Sequence, residues 1–320
     1  MKNDNFNYIY YLLNQTINSM KNSGLQFAVI AVICALTLNS CEGYSSIEDN
    51  LISGDVRNPN SALNTNFDGA VFGIPSPIQT GYLIKELKLS FDAKLGNDPS
   101  KVHMYDDEYS QSLNLGIYGV DLGYSALYDQ KNITLNYLAS VEKLTNQLGL
   151  GAAFDTDFLK SFESKIDDEK EMIHLMSEAF KKADNFLKNS NRKAASALIL
   201  TGGWLESIYL ACQLNAKNPK HEIKQRIGEQ KQSIGTIIAV LTEYNNNSFH
   251  NDLIEQLNDL SLSFDKIIIK YEYAAPEIDI ENKTTTLMHS TEIDFKNEIV
   301  KEIKTKIEAI RLSIIYNSNL

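Results

Sequence analysis

The sequence predicts an all-α protein, an antiparallel helical bundle or array of roughly eight to ten helices. Three observations predict it. Apolar residues recur at alternating spacings of three and four through most of the chain beyond Tyr82. The segments between these recurrences are short, as in antiparallel helix hairpins. Composition is that of a globular body: 43% of the 320 residues are hydrophobic and 22% are charged, enough for one large core or two modest ones.

The first element is not part of that body. Phe27 to Leu38 is a run of 12 residues with no charge, within the span of a signal-peptide apolar region and short of the ~20 residues needed to cross a bilayer. Lys21 precedes it, and Met20 immediately before Lys21 is the expected start of translation. The run closes on Leu38-Asn39-Ser40-Cys41, the pattern of a bacterial lipobox. Residues 1–40 are therefore read as a signal peptide and Cys41 as the lipidated first residue of the mature chain. A buried core helix is the alternative, opposed by the small Ser40 before a cysteine at the far edge of the run. Each acyl methylene contributes about 0.8 kcal/mol of membrane affinity, so two or more chains anchor durably. Glu42 follows where an Asp would favour inner-membrane retention, which points to an outer-membrane lipoprotein, on either leaflet.

Residues 41–71 are rich in Ser, Asn, Asp and Gly and read as a flexible tether. A single helical domain is expected over 72–320. It opens at Phe72-Gly-Ile-Pro-Ser-Pro77, with Pro77 in the first turn of a helix, where a missing N–H costs nothing. An apolar-periodic stretch runs from Tyr82 to Phe91. Tyr137, Val141, Leu144 and Leu148 mark a helix that Gly149 stops. Asp168 with Glu171 resembles an N-terminal cap for a helix carrying Met172, Met176, Ala179, Ala183 and Phe186 on one face. Leu253, Leu257, Leu260, Phe264, Ile267 and Tyr271 keep the same alternation. Between Glu277 and His289, Glu-Ile-Asp-Ile-Glu and Thr-Thr-Thr-Leu-Met flank Asn282-Lys283, which reads as a small β-hairpin. Phe295, Ile299, Ile303, Ile307, Ile310 and Ile314 make the last helical stripe, opposite an i,i+4 pair of Glu302 and Lys306.

Two segments depart from the one-sided pattern. Ala194 to Leu214 is apolar nearly all round, carries Gly202-Gly203 in its middle and holds one charge, Glu206. Leu113 to Tyr128 repeats the idea with Gly116, Gly119, Gly123 and one acid, Asp121. Helices apolar on every side must be surrounded by others. Two explanations stand. In one, the glycines let two backbones approach and each acid accepts hydrogen bonds from a neighbour. In the other, Asp121 and Glu206 are the polar groups of a pocket walled by Tyr118, Tyr124, Trp204 and Tyr209, suited to a small amphipathic or cationic ligand. An unpartnered buried acid costs several kcal/mol or stays protonated, so neither acid is there by default.

Phe72-Gly-Ile-Pro-Ser-Pro-Ile-Gln-Thr-Gly-Tyr-Leu-Ile-Lys-Glu-Leu87, Leu113-Asn-Leu-Gly-Ile-Tyr-Gly-Val-Asp-Leu122 and Leu200-Thr-Gly-Gly-Trp-Leu-Glu206 resemble an uncharacterised helical lipoprotein family of Bacteroidota bacteria. The resemblance covers the chain from about Phe72 onward. It implies a periplasmic or surface-exposed helical lipoprotein and brings no activity and no functional residues with it.

Reaction chemistry has no motif to stand on. No nucleophile elbow, phosphate-binding loop or dinucleotide fingerprint is present. His103, His221, His250 and His289 are scattered without ligand spacing, and Glu171-Met-Ile-His174 lacks the second copy a di-iron bundle needs. No metal and no cofactor are expected. With Cys34 removed and Cys41 acylated, Cys212 is left as a buried thiol with no disulfide partner. The net charge of −11 disfavours nucleic acid and anionic headgroups as partners. The expectation is a non-enzymatic, membrane-anchored binding or assembly component of the cell envelope, whose partners are the membrane, through Cys41, and other envelope proteins. The alternative is a small-molecule-binding lipoprotein with a pocket between helices 113–128 and 194–214. A carboxylate-dependent hydrolase using Asp121 and Glu206 is the third reading.

Overall fold

The computed structural model describes residues 65–67, 70–72, 77–154, 156–165, 168–245, 250–279, 284–286 and 290–316. Residues 1–64, on which the expected signal peptide and Cys41 fall, lie outside them. Helices hold 74% of the interpretable residues, which makes the class all-α with small antiparallel strand pairs. Nine α-helices are seen among the described residues: α1 (Pro77–Glu86), α2 (Glu108–Leu127), α3 (Lys131–Gln147), α4 (Thr156–Ser164), α5 (Glu169–Asn189), α6 (Lys193–Lys217), α7 (His221–Glu243), α8 (Asn251–Asp265) and α9 (Asn297–Ile315). Two short strands, β1 (Thr65–Phe67) and β2 (Ala70–Phe72), pair antiparallel at the distal end of the stretch read as a tether.

Local signals explain the ends. Pro77 opens α1. Asp107 caps α2 by accepting from Ser110 N at 2.9 Å, and Asp168 caps α5 by accepting from Glu171 N at 3.1 Å. Gly149 takes φ of +65°, the left-handed conformation that stops α3. Three boundaries differ from the periodic reading. α8 ends at Asp265, so Ile267 lies beyond it and Tyr271 belongs to a strand. α9 begins at Asn297, which leaves Phe295 in the preceding loop, and α1 ends at Glu86, well short of Phe91.

The centre of the body is the pair α2 and α6. Every residue of α2 from Ser110 to Leu127 is buried. Leu113, Ile117, Val120 and Tyr124 face one apolar cluster with α1, α7, α8 and α9. Leu115, Tyr118, Leu122 and Ala126 face a second cluster with α3, α4 and α5. The all-round apolar sequence follows from this placement between two cores. A fully buried Leu or Ile contributes about 1.5–3 kcal/mol, so the pair carries much of the stability. α6 is long and apolar enough to cross a membrane by length and composition, yet it is the core helix here, buried among the others.

The glycines act at the crossing. A Cβ on Gly116 would fall onto the Ile199 carbonyl and Gly203 N, and one on Gly202 onto the Leu113 carbonyl. Arg192, just before α6, pairs with Glu108 at the start of α2 at 2.6 Å. The heads of the two helices are therefore together, and this central pair runs parallel, with three helices intervening in sequence.

The expected hairpin is present and longer than its sequence signal. β4 (Glu277–Asp279) pairs with β5 (Thr284–Thr286) antiparallel, nested inside an outer pair of β3 (Ile268–Glu272) and β6 (Ser290–Asp294). Residues 280–283 and 287–289 are outside the described set. The outer pair sits on α7, where Gly228 leaves room: a Cβ there would collide with Ile293.

Candidate functional site

The sequence singled out two acids, and the structure brings them together. Asp121 on α2 and Glu206 on α6 are each 0% exposed, and the Glu206 charge acts on the Asp121 carboxyl. They meet because the parallel crossing at the glycines sets one turn of α2 beside one turn of α6. Arg311, on α9, completes the group. Its Nε donates to Glu206 Oε2 at 2.5 Å and its Nη2 to Glu206 Oε1 at 2.8 Å, a bidentate fork. Nη2 also donates to the Leu95 carbonyl at 3.0 Å, and the guanidinium lies over the Tyr209 ring, 4.1 Å from its centre.

Two acids and one arginine leave a charge to account for. Burial and then the Glu206 carboxylate push the Asp121 carboxyl well above the ordinary carboxylate range, against the pull of Arg311 and the bond from Asn97 N. Asp121 Oδ2 accepts that bond from Asn97 N at 2.8 Å, while Oδ1 has no donor aimed at it. Burial beside the Glu206 charge favours the protonated form of Asp121, while Glu206 takes both prongs of the Arg311 fork. Burial alone would lower the Arg311 pKa, but the Glu206 charge outweighs it and the net direction is up.

A second polar layer lies beside the first. Asn97 Nδ2 donates to Tyr105 Oη at 3.0 Å and to Asn114 Oδ1 at 3.2 Å. Tyr105 Oη donates to the Ile315 carbonyl at 3.1 Å, and Asn114 Nδ2 reaches the Ile314 carbonyl at 3.4 Å. The last carbonyls of a helix lack partners within it. This layer supplies them to α9, and so holds the turn that carries Arg311.

The aromatic residues read as pocket walls are spent in separate places. Tyr118 Oη donates to the Asp98 carbonyl at 2.9 Å, and Tyr124 Oη accepts from Asp92 N at 3.0 Å. Trp204 Nε1 donates to Gln230 Oε1 at 3.0 Å, on the α7 side of α6. Of the four expected wall residues, only Tyr209 touches the charged group, under the Arg311 guanidinium. The structure thus joins Asp121, Glu206 and Tyr209 and sends Tyr118, Tyr124 and Trp204 elsewhere.

Sequence reasoning missed Arg311, Asn97, Tyr105 and Asn114. A signal for Arg311 existed: it lies four residues after Ile307 and three before Ile314, on the flank of the apolar stripe. The loop residues had no periodicity to reveal them.

The opening beside the glycine-rich helices is elsewhere and of different chemistry. A crevice of about 70 Å³ lies between α2, α3, α4, α5 and α6, with Gly119, Leu122, Phe158, Phe162 and Ile199 among its walls. Glu142 and Thr145 are the polar residues at its edge, and neither Asp121 nor Glu206 reaches it. Among the described residues no group of three or more His, Cys, Asp or Glu side chains converges as metal ligands. His174 is exposed, and Cys212 is buried, with burial pushing its thiol up to about 12.

Fold and site together define an all-α protein with a charged triad sealed in its core. No family model, curated protein or solved structure matches the chain.

Proposed function

We propose that the chain is a lipid-anchored helical component of the bacterial outer membrane that works by binding other envelope proteins and not by catalysis. The observation that supports it is the fate of the two acids. Asp121 and Glu206 are the residues on which a polar ligand site or a carboxylate mechanism would rest, and neither has exposed surface: Glu206 is forked by Arg311 and Asp121 is held by Asn97 N. Acid–base chemistry needs a carboxyl within hydrogen-bond reach of a substrate. A sealed triad instead fixes how α2, α6 and α9 pack, as a rigid body for presenting surfaces. The lipobox pattern at Leu38–Cys41 is the support for the address.

Labelled palmitate should enter the parent chain and be absent from Cys41→Ala, which should leave the membrane fraction. Crosslinking in intact membranes should then recover one defined protein partner. Absence of label, or an unchanged distribution of Cys41→Ala, overturns the anchor; recovery of no partner overturns the assembly role.

The small-molecule reading keeps one specific support, in altered form. The crevice lined by Gly119, Phe158 and Ile199 does lie against both glycine-rich helices, but its walls suit an apolar group instead of a cation. Replacing Gly119 with Leu should fill it, and thermal stabilisation by short aliphatic ligands should vanish in that variant. No stabilisation of the parent chain would remove this reading.

A further inference from the structure

A groove of about 790 Å³ runs along the root of the hairpin, between the outer edge of β6 and one face of α7. Four consecutive residues of β6, Thr291 to Asp294, line it, so it reaches the strand's edge, and Ile269 of β3 joins them from the face that α7 covers. Across from them stand Gln225, Glu229 and Gln232 on successive turns of α7. Gln225 Nε2 donates to the Ile293 carbonyl at 3.0 Å, which aims that carbonyl away from β3 and into the groove. In an antiparallel strand, N–H and C=O groups of alternate residues point to the same side. Thr291 and Ile293 therefore both turn their backbone groups outward, and a side-chain amide holds the place that a neighbouring strand's N–H would take. Among the described residues no third strand pairs with β6 or with β3.

An unpaired edge of this kind is a template for another chain. The chemistry around it says which. Residues 268–294 hold six acids, Glu272, Glu277, Asp279, Glu281, Glu292 and Asp294, against Lys270 and Lys283. Of the charges beside the groove, Lys224 lies over the Phe295 ring at 4.8 Å, Lys270 is paired with Glu292 at 3.3 Å, and Glu229 with Arg226 at 3.0 Å. Asp294 makes no ion pair among the described residues. Further along the ribbon, Tyr273, just past the end of β3, and Ile278, on β4, are 74% and 69% exposed. Two copies pairing through this edge would set like charges opposite one another, which is destabilising.

We propose that the groove between β6 and α7 receives an extended basic segment of another protein, added as a third strand to β6 through Thr291 and Ile293. This deepens the assembly reading above and rests on it for the presence of a partner. The incoming N–H replaces the Gln225 amide on the Ile293 carbonyl, and its Lys or Arg side chains meet Asp294 and Glu292.

The full chain in detergent, titrated with a labelled peptide of alternating Lys and Val, tests this by fluorescence anisotropy, with a Glu-Val peptide as control. The Lys peptide should bind at least about tenfold more tightly. Thr291→Pro removes an outward N–H without touching the β3 ladder and should abolish binding. Glu292→Lys with Asp294→Lys should reverse the preference. Equal binding of both peptides, no binding of either, or indifference to both variants overturns the proposal. A concentration-dependent dimer that Thr291→Pro dissolves would also overturn it, by naming a second copy as the occupant. Should the peptide arm fail while palmitate labelling and membrane crosslinking succeed, the assembly role survives and only the groove is lost.

Discussion

Arg311 and Glu206 are joined by two parallel hydrogen bonds of 2.5 and 2.8 Å between helices α9 and α6, with 5% and 0% of the side chains exposed. Surface ion pairs contribute little to stability, but removing one partner of a buried pair leaves a charge with no solvent and no counterion. Arg311→Met should therefore lower unfolding free energy by about 3–5 kcal/mol. Glu206→Gln added to it should restore most of that loss, because the stranded anion is gone. Urea denaturation of the two singles and the double measures this; a loss below about 1 kcal/mol in Arg311→Met would mean that the pair is solvated.

The two central glycine sites carry a different expectation. Gly116 and Gly202 face backbone atoms of the opposing helix, which cannot swing aside as a side chain can. Alanine at either should cost about 1–3 kcal/mol by overpacking. Gly235, in α7, has open space around its Cβ position and is exposed. Gly235→Ala should instead stabilise by up to about 1 kcal/mol, through helix propensity. The opposite signs separate close approach from mere tolerance, and thermal midpoints of the three variants read them directly.

How far the sequence could go follows from what kind of order each part has. Helices with one apolar face were legible because a 3.6-residue period is local, and so was the cap at Asp168. The all-round apolar α2 and α6 announced a buried pair, and their lone acids announced a need for partners. Which cation answered was not legible, because Arg311 shares its helix with several Lys residues and only the fold decides which one turns inward. Tyr271 was misread for a simpler reason. Ile267, Ile269 and Tyr271 alternate as a strand does, and two of them also fit the spacing that continues from Phe264. The pocket walls failed as a group because Tyr118, Tyr124 and Trp204 lie on helices that face two cores at once.

Cys212 tests the density of the α6 core. Burial pushes its thiol up to about 12, and the side chain is 1% exposed. A maleimide reagent near pH 8 should leave it unmodified in the folded chain for hours and modify it within minutes in concentrated urea. Prompt labelling of the folded chain would mean that α6 opens on that timescale.

The burial of Asp121 beside Glu206 has a consequence for pH. Asp121 has a folded pKa raised above its ordinary 3.8, first by burial and then by the Glu206 charge. A group raised in this way contributes most to stability below its unfolded pKa, and that contribution falls as pH climbs toward the folded value, where the native state must give up its proton. The chain should therefore lose stability in the alkaline direction, beyond what its net charge explains. Asp121→Asn replaces the acid by a neutral amide of the same shape that can still accept from Asn97 N. It has no proton to lose, so its stability should stay level where the parent's declines. Urea midpoints of both forms between about pH 5 and about pH 9 decide the matter. Parallel curves would show that Asp121 is ionised throughout, and the raised Asp121 carboxyl would fall with that result.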